Sequence, residues 1–409
     1  MLRLAVIGLG GRICGIIKLV LLHDREARLV AVADPNKHLA DDRVKDIQPS
    51  HTDVKWYDSA EKLLEHADQY DAILIGTRCH LHTPIAVMAA ATKLPLFLEK
   101  PVAITTAQLK ALHQAYRGRE DEVVVSFPLR CTPLFTSSLE IVRSGRLGTI
   151  NQVQAINNVS YGGVYFGEWY RNYDEVGGLW LQKATHDFDY LNLLMNCAPM
   201  RIAGTMSQKV YGGTMPHELR CNDCDLTETC MESPKNLMRR GEDGGVASHH
   251  PDDKNHFCAF SREIYNEDAG SAIVQYSNGA HVNYTQNFIT RRSAGRRGAI
   301  LTGYSGTLEF DWMTEVIRVT DHHQNRVDEI SVKASTGHSG GDDVLVQNFI
   351  DLIRGKAKSR STLSDGLLSV AMCLAARRSC HLNTFQPIPK VEDISRLPDE
   401  PETIPTFVR

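Results

Sequence analysis

Two stretches of this chain carry residues whose types and spacing could do chemistry, and a third carries residues that could bind a metal. The first is Gly8-Leu9-Gly10-Gly11, which follows an apolar run and precedes an amphipathic stretch, Ile16–Leu22. That context is what a dinucleotide-binding turn requires. Gly8 would make the tight turn, and Gly10 would let the backbone approach a pyrophosphate at a helix N-terminus, where Gly11, Arg12 and Ile13 line the first turn. Ile13 stands where the motif G-x-G-x-x-G has its third glycine. Gly11 and Gly15 are the local candidates to compensate, and the helix–strand approach is expected to be altered. Asp34 follows the glycine turn at the end of the second apolar run. A carboxylate about 20 residues on can bind ribose hydroxyls, and it repels a 2′-phosphate, which favours NAD over NADP.

The second stretch is Glu99-Lys100-Pro101, directly after the apolar Leu94–Leu98, with His186 further along in a glycine-led segment, Gly177-Gly178-Leu-Trp-Leu-Gln-Lys-Ala-Thr-His186-Asp-Phe-Asp189. By themselves these residues read blandly, as a solvated loop lysine and a core histidine. The third feature is Cys221-x-x-Cys224-x5-Cys230, with Cys258 later. Four thiolates can close a tetrahedral zinc site or hold an iron–sulfur cluster. The surrounding Glu218–Glu267 is polar and would gain order from a structural metal. His217, His249, His250 and His256 are nearby and could replace one thiolate. The other six cysteines are dispersed and read as buried thiols.

In combination these segments resemble the glucose–fructose oxidoreductase/inositol dehydrogenase (Gfo/Idh/MocA) family. The likeness runs through the glycine turn, Thr77 with His82, Glu99-Lys100-Pro101, Phe127 to Pro133, Ser144-Gly145-Arg146-Leu147-Gly148, Gly177-Gly178, and His186 with Asp189. The resemblance implies an NAD-dependent oxidoreductase that moves hydride between nicotinamide and a hydroxyl or carbonyl carbon of a sugar, sugar derivative or cyclitol. It implies that Thr77, His82 and Glu99 border the cofactor. It sets Lys100 beside both nicotinamide and substrate with a lowered pKa, on a turn whose Lys100–Pro101 peptide can be cis. It makes His186 the acid/base histidine.

Such chemistry needs a base beside the carbinol oxygen and a cation to steady the developing oxyanion. Many members have an Asp four residues before the histidine, whereas this chain has Gln182 followed by Lys183. A glutamine holds a hydroxyl but cannot be a carboxylate base, so Lys183 is expected as a second cation or a partner in proton transfer. Arg130, Gln182, Asp187 and His338 fall in segments that border the family's sugar pocket. Tyr161, Tyr165, Trp169 and Tyr170 form an aromatic loop suited to stacking on a pyranose face. Two other readings stay open: a glycoside-cleaving enzyme that keeps and recycles its NAD, and a non-catalytic sugar or dinucleotide sensor.

The elements that must position these residues are legible as alternating patterns. Strand-like runs at Leu4–Gly8, Leu29–Ala33, Ala72–Ile75, Leu96–Glu99 and Val123–Phe127 alternate with helical stretches such as Thr83–Thr92 and Thr106–Tyr116, predicting an α/β Rossmann domain with a doubly wound parallel sheet. From Ile150 strands gather: Ile150–Ser160, a hairpin over Ser271–Phe288 turning at Asn278-Gly279, then Ala299–Thr302, Thr307–Asp311 and Val316–Asp321. With helices at Ala184–Met195, Asp342–Arg354 and Leu363–Ser379, they predict an α+β domain with a large, mostly antiparallel open-faced sheet. The expected organisation is residues 1–128 for NAD, then 129–409 for substrate and oligomerisation, with a cysteine-rich insertion at 218–267. By the resemblance that second sheet pairs face to face between subunits, giving a homo-oligomer, dimer or tetramer, with an apolar outer face.

Composition closes off other classes. A net charge of −4 and only scattered arginine pairs, Arg239-Arg240, Arg291-Arg292 and Arg296-Arg297, argue against a nucleic-acid partner and read as loop or face charges. No apolar run approaches the ~20 residues a membrane span needs. The first residues enter a strand with no room for a leader, so the chain is expected to be soluble and cytoplasmic.

Overall fold

The computed structural model describes residues 1–50, 53–239, 256–333, 338–398, 405 and 407. Its first sheet is built from β1 (Leu2–Ile7), β2 (Ala27–Ala33), β3 (Lys55–Tyr57), β4 (Ala72–Ile75), β5 (Leu96–Leu98) and β6 (Val123–Val125). These runs are short, branched and apolar, and residues such as Leu4, Val6, Ile75, Phe97 and Val124 are wholly buried because helices cover both faces. The strands pair in parallel in the order β3-β2-β1-β4-β5-β6. The order reverses between β1 and β4, so the crevice beyond their carboxyl ends lies at the topological switch point, the ordinary place for a ligand in an open α/β sheet. Gly8 follows β1 and Gly76 follows β4.

The second sheet has nine strands in the order β14-β13-β12-β11-β7-β10-β9-β8-β15. They are β7 (Ile150–Asn158), β8 (Pro199–Ser207), β9 (Ala269–Tyr276), β10 (His281–Asn287), β11 (Arg296–Gly303), β12 (Gly306–Asp311), β13 (Val316–Asp321), β14 (Val327–Ser331) and β15 (Gln386–Pro387). Every pairing is antiparallel except β7 with β10. The expected hairpin turns at Asn278-Gly279, where Gly279 has φ +88° and Asn278 accepts from the Ala280 N–H. Helices Thr185–Met195 and Leu363–Leu382 cover one face, packing Phe188, Leu191, Val370 and Cys373 into a core with Val153, Val274, Val282 and Leu301.

The opposite face corrects an expectation. Gln152, Gln154, Asn283, Thr285, Gln275 and Thr302 point outward, interrupted by Ile156, Ile273 and Ile300 and, nearer the edge, by Val316 and Val327. That face is polar rather than apolar. The helix Gly341–Ile353 is late in the chain but packs Leu345, Val346, Phe349 and Ile350 into the first sheet's core, against residues such as Ile13, Ile16, Ile17 and Phe97. It ties the later part of the chain to the first sheet, as does the helix Leu363–Leu382, whose Leu367 and Val370 share one core with Leu98 and Val125. Among the described residues no helix is long and apolar enough to cross a membrane.

Candidate active site

The glycine turn is built as its spacing implies. Gly8 has φ +79°, and a Cβ there would lie 2.5 Å from the Thr77 Cγ2. The turn therefore needs glycine for both conformation and space. The helix Gly11–His23 begins at Gly10 with no side-chain cap and no acid in its first turn. Its first N–H groups are thus directed to the crevice without a competing side chain, as an anion site requires.

The missing third glycine is compensated from a place the sequence reading did not name. Gly11 and Gly15 have nothing within 4 Å of where a Cβ would sit, whereas a Cβ on Gly76 would lie 2.6 Å from the Ile13 Cβ. The close helix–strand approach is kept, with the glycine moved across the contact onto the chain after β4.

Asp34 ends β2 as expected, half-buried, one carboxylate oxygen accepting from the Leu9 N–H at 2.9 Å and the other from the Asn36 N–H at 2.9 Å. The acid is thereby fixed to the glycine turn itself. Arg12 takes a different position from a cofactor contact. Its guanidinium grips the Asp342 carboxylate at 2.6 and 2.7 Å, donates to the Ser126 hydroxyl at 3.2 Å and lies 3.3 Å from Glu99. His338 joins the same cluster, with Nδ1 2.9 Å from Asp342. Arg12 and His338 therefore link the glycine turn, the Glu99 turn and the helix Gly341–Ile353.

The Glu99-Lys100-Pro101 turn follows β5, and its Lys100–Pro101 peptide is cis. His82 stands behind it, between two carbonyls, Nδ1 2.8 Å from Pro101 O and Nε2 3.1 Å from Thr77 O. It is buried, so it braces both turns and shows no face to the crevice. Lys100 Nζ donates to the Gln182 carbonyl at 2.9 Å. Burial, then the neighbouring Lys183 charge, pull the Lys100 amine down to about 8.

Opposite this turn the chain changes from Gly177 (φ +73°) and Gly178 (φ +95°) into a π-helical turn, Trp180–Ala184, which runs into the helix Thr185–Met195. Such wide turns recur at functional sites because they re-aim side chains. This one turns the Gln182 carbonyl to Lys100, and Lys183 to the hydroxyl of Tyr161, which hydrogen-bonds its ammonium. The Lys183 ammonium also stands over the Tyr161 and Tyr165 rings, 4.5 and 5.1 Å from their centroids. Burial pushes the Tyr161 phenol up, but Lys183, Arg297 and Lys100 together outweigh it and bring it down to about 8. His186 follows on the helix, its ring edge-on to Phe127 at 5.5 Å and its buried Nδ1 without a hydrogen-bond partner. Burial, then Lys100, Arg297, His338 and Lys183, hold this imidazole well below its ordinary pKa.

Several expected substrate contacts have other work. Arg130 is buried and gives its donors to Asp189, Asp365 and the Arg360 carbonyl. Asp187 is fully buried and accepts from Asn157 at 2.7 Å, Tyr284 at 2.8 Å and Arg297 at 2.8 Å. The Gln182 side chain is 1% exposed and donates to the Cys79 thiol. These residues support the wall of the crevice instead of facing it. Trp169 stacks on Tyr170 at 3.9 Å, and the Arg78 guanidinium covers its ring at 3.8 Å. Arg297 is the main residue that the sequence reading missed. Its neighbour Arg296 faces outward to Glu309 and Asp311, while Arg297, one step along β11, points inward to Asp187.

The four insertion cysteines lie close enough to feel one another. Burial first, then Cys230, Cys258 and Cys224, push the Cys221 thiol up to about 12. Backbone bonds knit the segment, Cys221 N–H to His256 O at 2.8 Å and Cys258 N–H to Leu219 O at 2.8 Å. All four are free, half-exposed thiols. Among the described residues no group of three or more His, Cys, Asp or Glu is arranged to hold a metal ion, so the expected zinc or iron–sulfur ligand set is not assembled. His256 is committed elsewhere, 3.2 Å from the buried Glu168, and His249 and His250 lie outside the described residues.

A glycine turn at the switch point of a parallel sheet, with Lys100 on the same sheet's β5 turn and the buried Lys183 opposite it from a second domain, defines a two-domain oxidoreductase of the dinucleotide-binding class. The chain belongs to the Gfo/Idh/MocA oxidoreductase family. Residues 2–127 match its NAD-binding Rossmann fold, and residues 140–388 its C-terminal alpha/beta domain. Among individual relatives, a putative oxidoreductase, YteT, of Bacillus subtilis is 26% identical over 318 residues, 70% of this chain and 72% of that protein. Inositol 2-dehydrogenase of Rhizobium meliloti is 24% identical over 210 residues, covering 50% of this chain and 58% of that protein, less than two thirds of its length. The structure of a levoglucosan dehydrogenase in complex with NADH and L-sorbose superposes with a TM-score of 0.74 at 15% identity, over 96% of this chain and 100% of that one. An oxidoreductase domain protein from Kribbella flavida gives 0.74 at 16% identity, over 95% of this chain and 99% of that one. At these identities the structural likeness is one of fold.

Proposed function

We propose that this chain is an NAD-dependent dehydrogenase of a small polyhydroxylated substrate, a sugar, sugar derivative or cyclitol, oxidised or formed at one CH–OH carbon. The observation that carries the reading is the convergence on one crevice of the glycine turn, Lys100 and the Lys183–Tyr161 pair. Relatives named for inositol and levoglucosan oxidation support the substrate class.

The residues present fit NAD. Gly8 and Gly10 leave room for the pyrophosphate against the uncapped helix N-terminus, and the half-exposed Asp34 would take the ribose hydroxyls. Bound there, NAD supplies the hydride acceptor. Lys100 would hold the reacting hydroxyl. Its neutral and charged forms are close in energy near neutral pH, which suits a group that must accept a hydrogen bond in one state and donate in the other. Lys183 adds positive field where the oxyanion develops. Of the aromatic loop, Tyr161 would border the substrate, whereas the Trp169 ring is already covered by Tyr170 and Arg78.

The test is a panel of sugars, cyclitols and glycosides with NAD, following NADH and products together, repeated with Lys100→Ala. Accumulating NADH that vanishes in the variant supports the proposal. Aglycone release without net NADH would move the chain to glycoside cleavage with a recycled cofactor. Binding of sugar or NAD without turnover would make it a sensor.

A further inference from the structure

Three cations face Tyr161 from three different elements: Lys183 from the π-helical turn, Arg297 from β11 and Lys100 from the turn after β5. Tyr165 and Tyr170 border it from its own loop. Two carboxylates neighbour this group, Asp187, already shared among Arg297, Asn157 and Tyr284, and Glu99, beside Lys100 and paired with Arg12. Lys183 is buried at 6% exposure, and the partner that its ammonium finds is the Tyr161 oxygen, while the ring of the same tyrosine lies beneath it. A buried ammonium whose partner is a phenol favours the phenolate, since only the ionised phenol compensates the charge. The same cations act in the opposite sense on His186, which they hold neutral and weakly basic.

Resting on the dehydrogenase reading above, we propose that Tyr161 exchanges the substrate's hydroxyl proton and that Lys183 is the positioning residue that keeps its oxygen charged and aimed. In the oxidative direction the Tyr161 phenolate oxygen forms an O–H bond as the substrate's O–H bond breaks. The carbinol C–H bond breaks with its electron pair, the hydride passing to the nicotinamide of NAD, and the carbon–oxygen double bond forms. In the reductive direction Tyr161 returns the proton. Burial, with Arg297, lowers the Lys183 amine, and Tyr161 and Asp187 oppose this; in this scheme Lys183 stays an ammonium and Tyr161 carries the exchanged proton.

The experiment has two readings on the full chain. The first is an ultraviolet difference titration of tyrosinate without substrate or cofactor. One tyrosine of the 13 should ionise ahead of the rest. That phase should be lost in Tyr161→Phe, move to higher pH in Lys183→Met, and be largely kept in Lys183→Arg. The second is the pH profile of kcat for oxidation. It should rise through about 8 in the native protein, shift upward in Lys183→Met, and keep its position in His186→Gln even though turnover slows. Tyr161→Phe should lower kcat by about 100-fold to 10,000-fold with a much smaller change in KM, the usual loss for a proton-transfer group. A titration with no early tyrosine, or an ascending limb that disappears with His186 and survives the loss of Tyr161, overturns the assignment. If no substrate yields NADH, the dehydrogenase reading fails instead, and the tyrosine titration reports separately on the pair.

Discussion

Gly76 and Ile13 meet so closely that a Cβ added at position 76 would lie 2.6 Å from the Ile13 Cβ. A glycine is ordinarily needed on the helix side of this contact so that helix and strand can approach beneath the pyrophosphate. Here the requirement has moved to the other partner. Gly76→Ala should push the helix Gly11–His23 away from β4 and destabilise the fold by about 1–3 kcal/mol, the range for overpacking. NAD affinity should fall with it, because the same helix presents the N–H groups. Adding Ile13→Gly should recover most of the affinity by restoring a glycine to the contact. Denaturant unfolding and a nucleotide-binding titration on the single and double variants check this. Independent, additive losses would sink the idea.

Arg12 leads to a second prediction, about how the two domains are joined at the site. Its guanidinium stands between Glu99 and Asp342, whose side chains are nearly buried. Removing it leaves two carboxylates short of their cation, a situation that costs about 3–5 kcal/mol for a buried pair. Arg12→Met should therefore lower the unfolding midpoint sharply, and Arg12→Met with Asp342→Asn should recover part of the loss. A thermal melt of both variants decides it; equal melts would show that Asp342 does not need Arg12.

What was legible in the sequence followed from local rules. β5 and its Glu99-Lys100-Pro101 turn stand out because an apolar run ends abruptly in charge, and the β9–β10 hairpin because Asn278-Gly279 admits few other turns. β8 and β14 were missed, since β8 opens on Pro199 and is buried only at scattered positions, and β14 is an exposed edge strand. Neither shows a clean alternation. In the site, the conformation of the glycine turn and the place of Asp34 after β2 were readable because both are fixed by backbone near them in sequence. Gly76, Arg297 and Asp342 were not. Their roles depend on what lies across a packing contact, and for Arg297 on which of two adjacent arginines faces inward along β11. The same limit applied to Arg130 and Asp187, which the resemblance set beside the sugar pocket but whose charges are matched by buried partners.

Asp34 supports a prediction about cofactor choice. Its carboxylate is anchored to the Leu9 N–H, so it cannot swing away to admit a 2′-phosphate. Like charges brought together at a binding surface cost several kcal/mol. Asp34→Ser should raise kcat/KM with NADP by about tenfold or more, equivalent to about 1.4 kcal/mol, and lower it with NAD. The ratio of the two cofactors' kcat/KM reads this directly, and an unchanged ratio would falsify a role for Asp34 in that choice.

His186 connects the site to stability. Burial and the neighbouring Lys100, Arg297 and Lys183 keep it neutral in the folded chain at pH values where an unfolded histidine, with an ordinary pKa of 6.5, takes a proton. Below that value the unfolded state binds the extra proton, so this residue makes stability fall as pH falls, with no penalty above it. The slope is at most about 1.4 kcal/mol per pH unit for one proton. His82 and His113 are lowered in the same direction by burial, so His186→Gln should flatten the acid side of the stability profile without abolishing its slope. Unfolding free energies of the native chain and the variant, compared between about pH 7 and about pH 5, isolate the difference because the shared groups cancel. Parallel profiles would mean that His186 is already protonated in the folded protein. The neutral imidazole would then no longer be a reason to assign proton transfer to Tyr161.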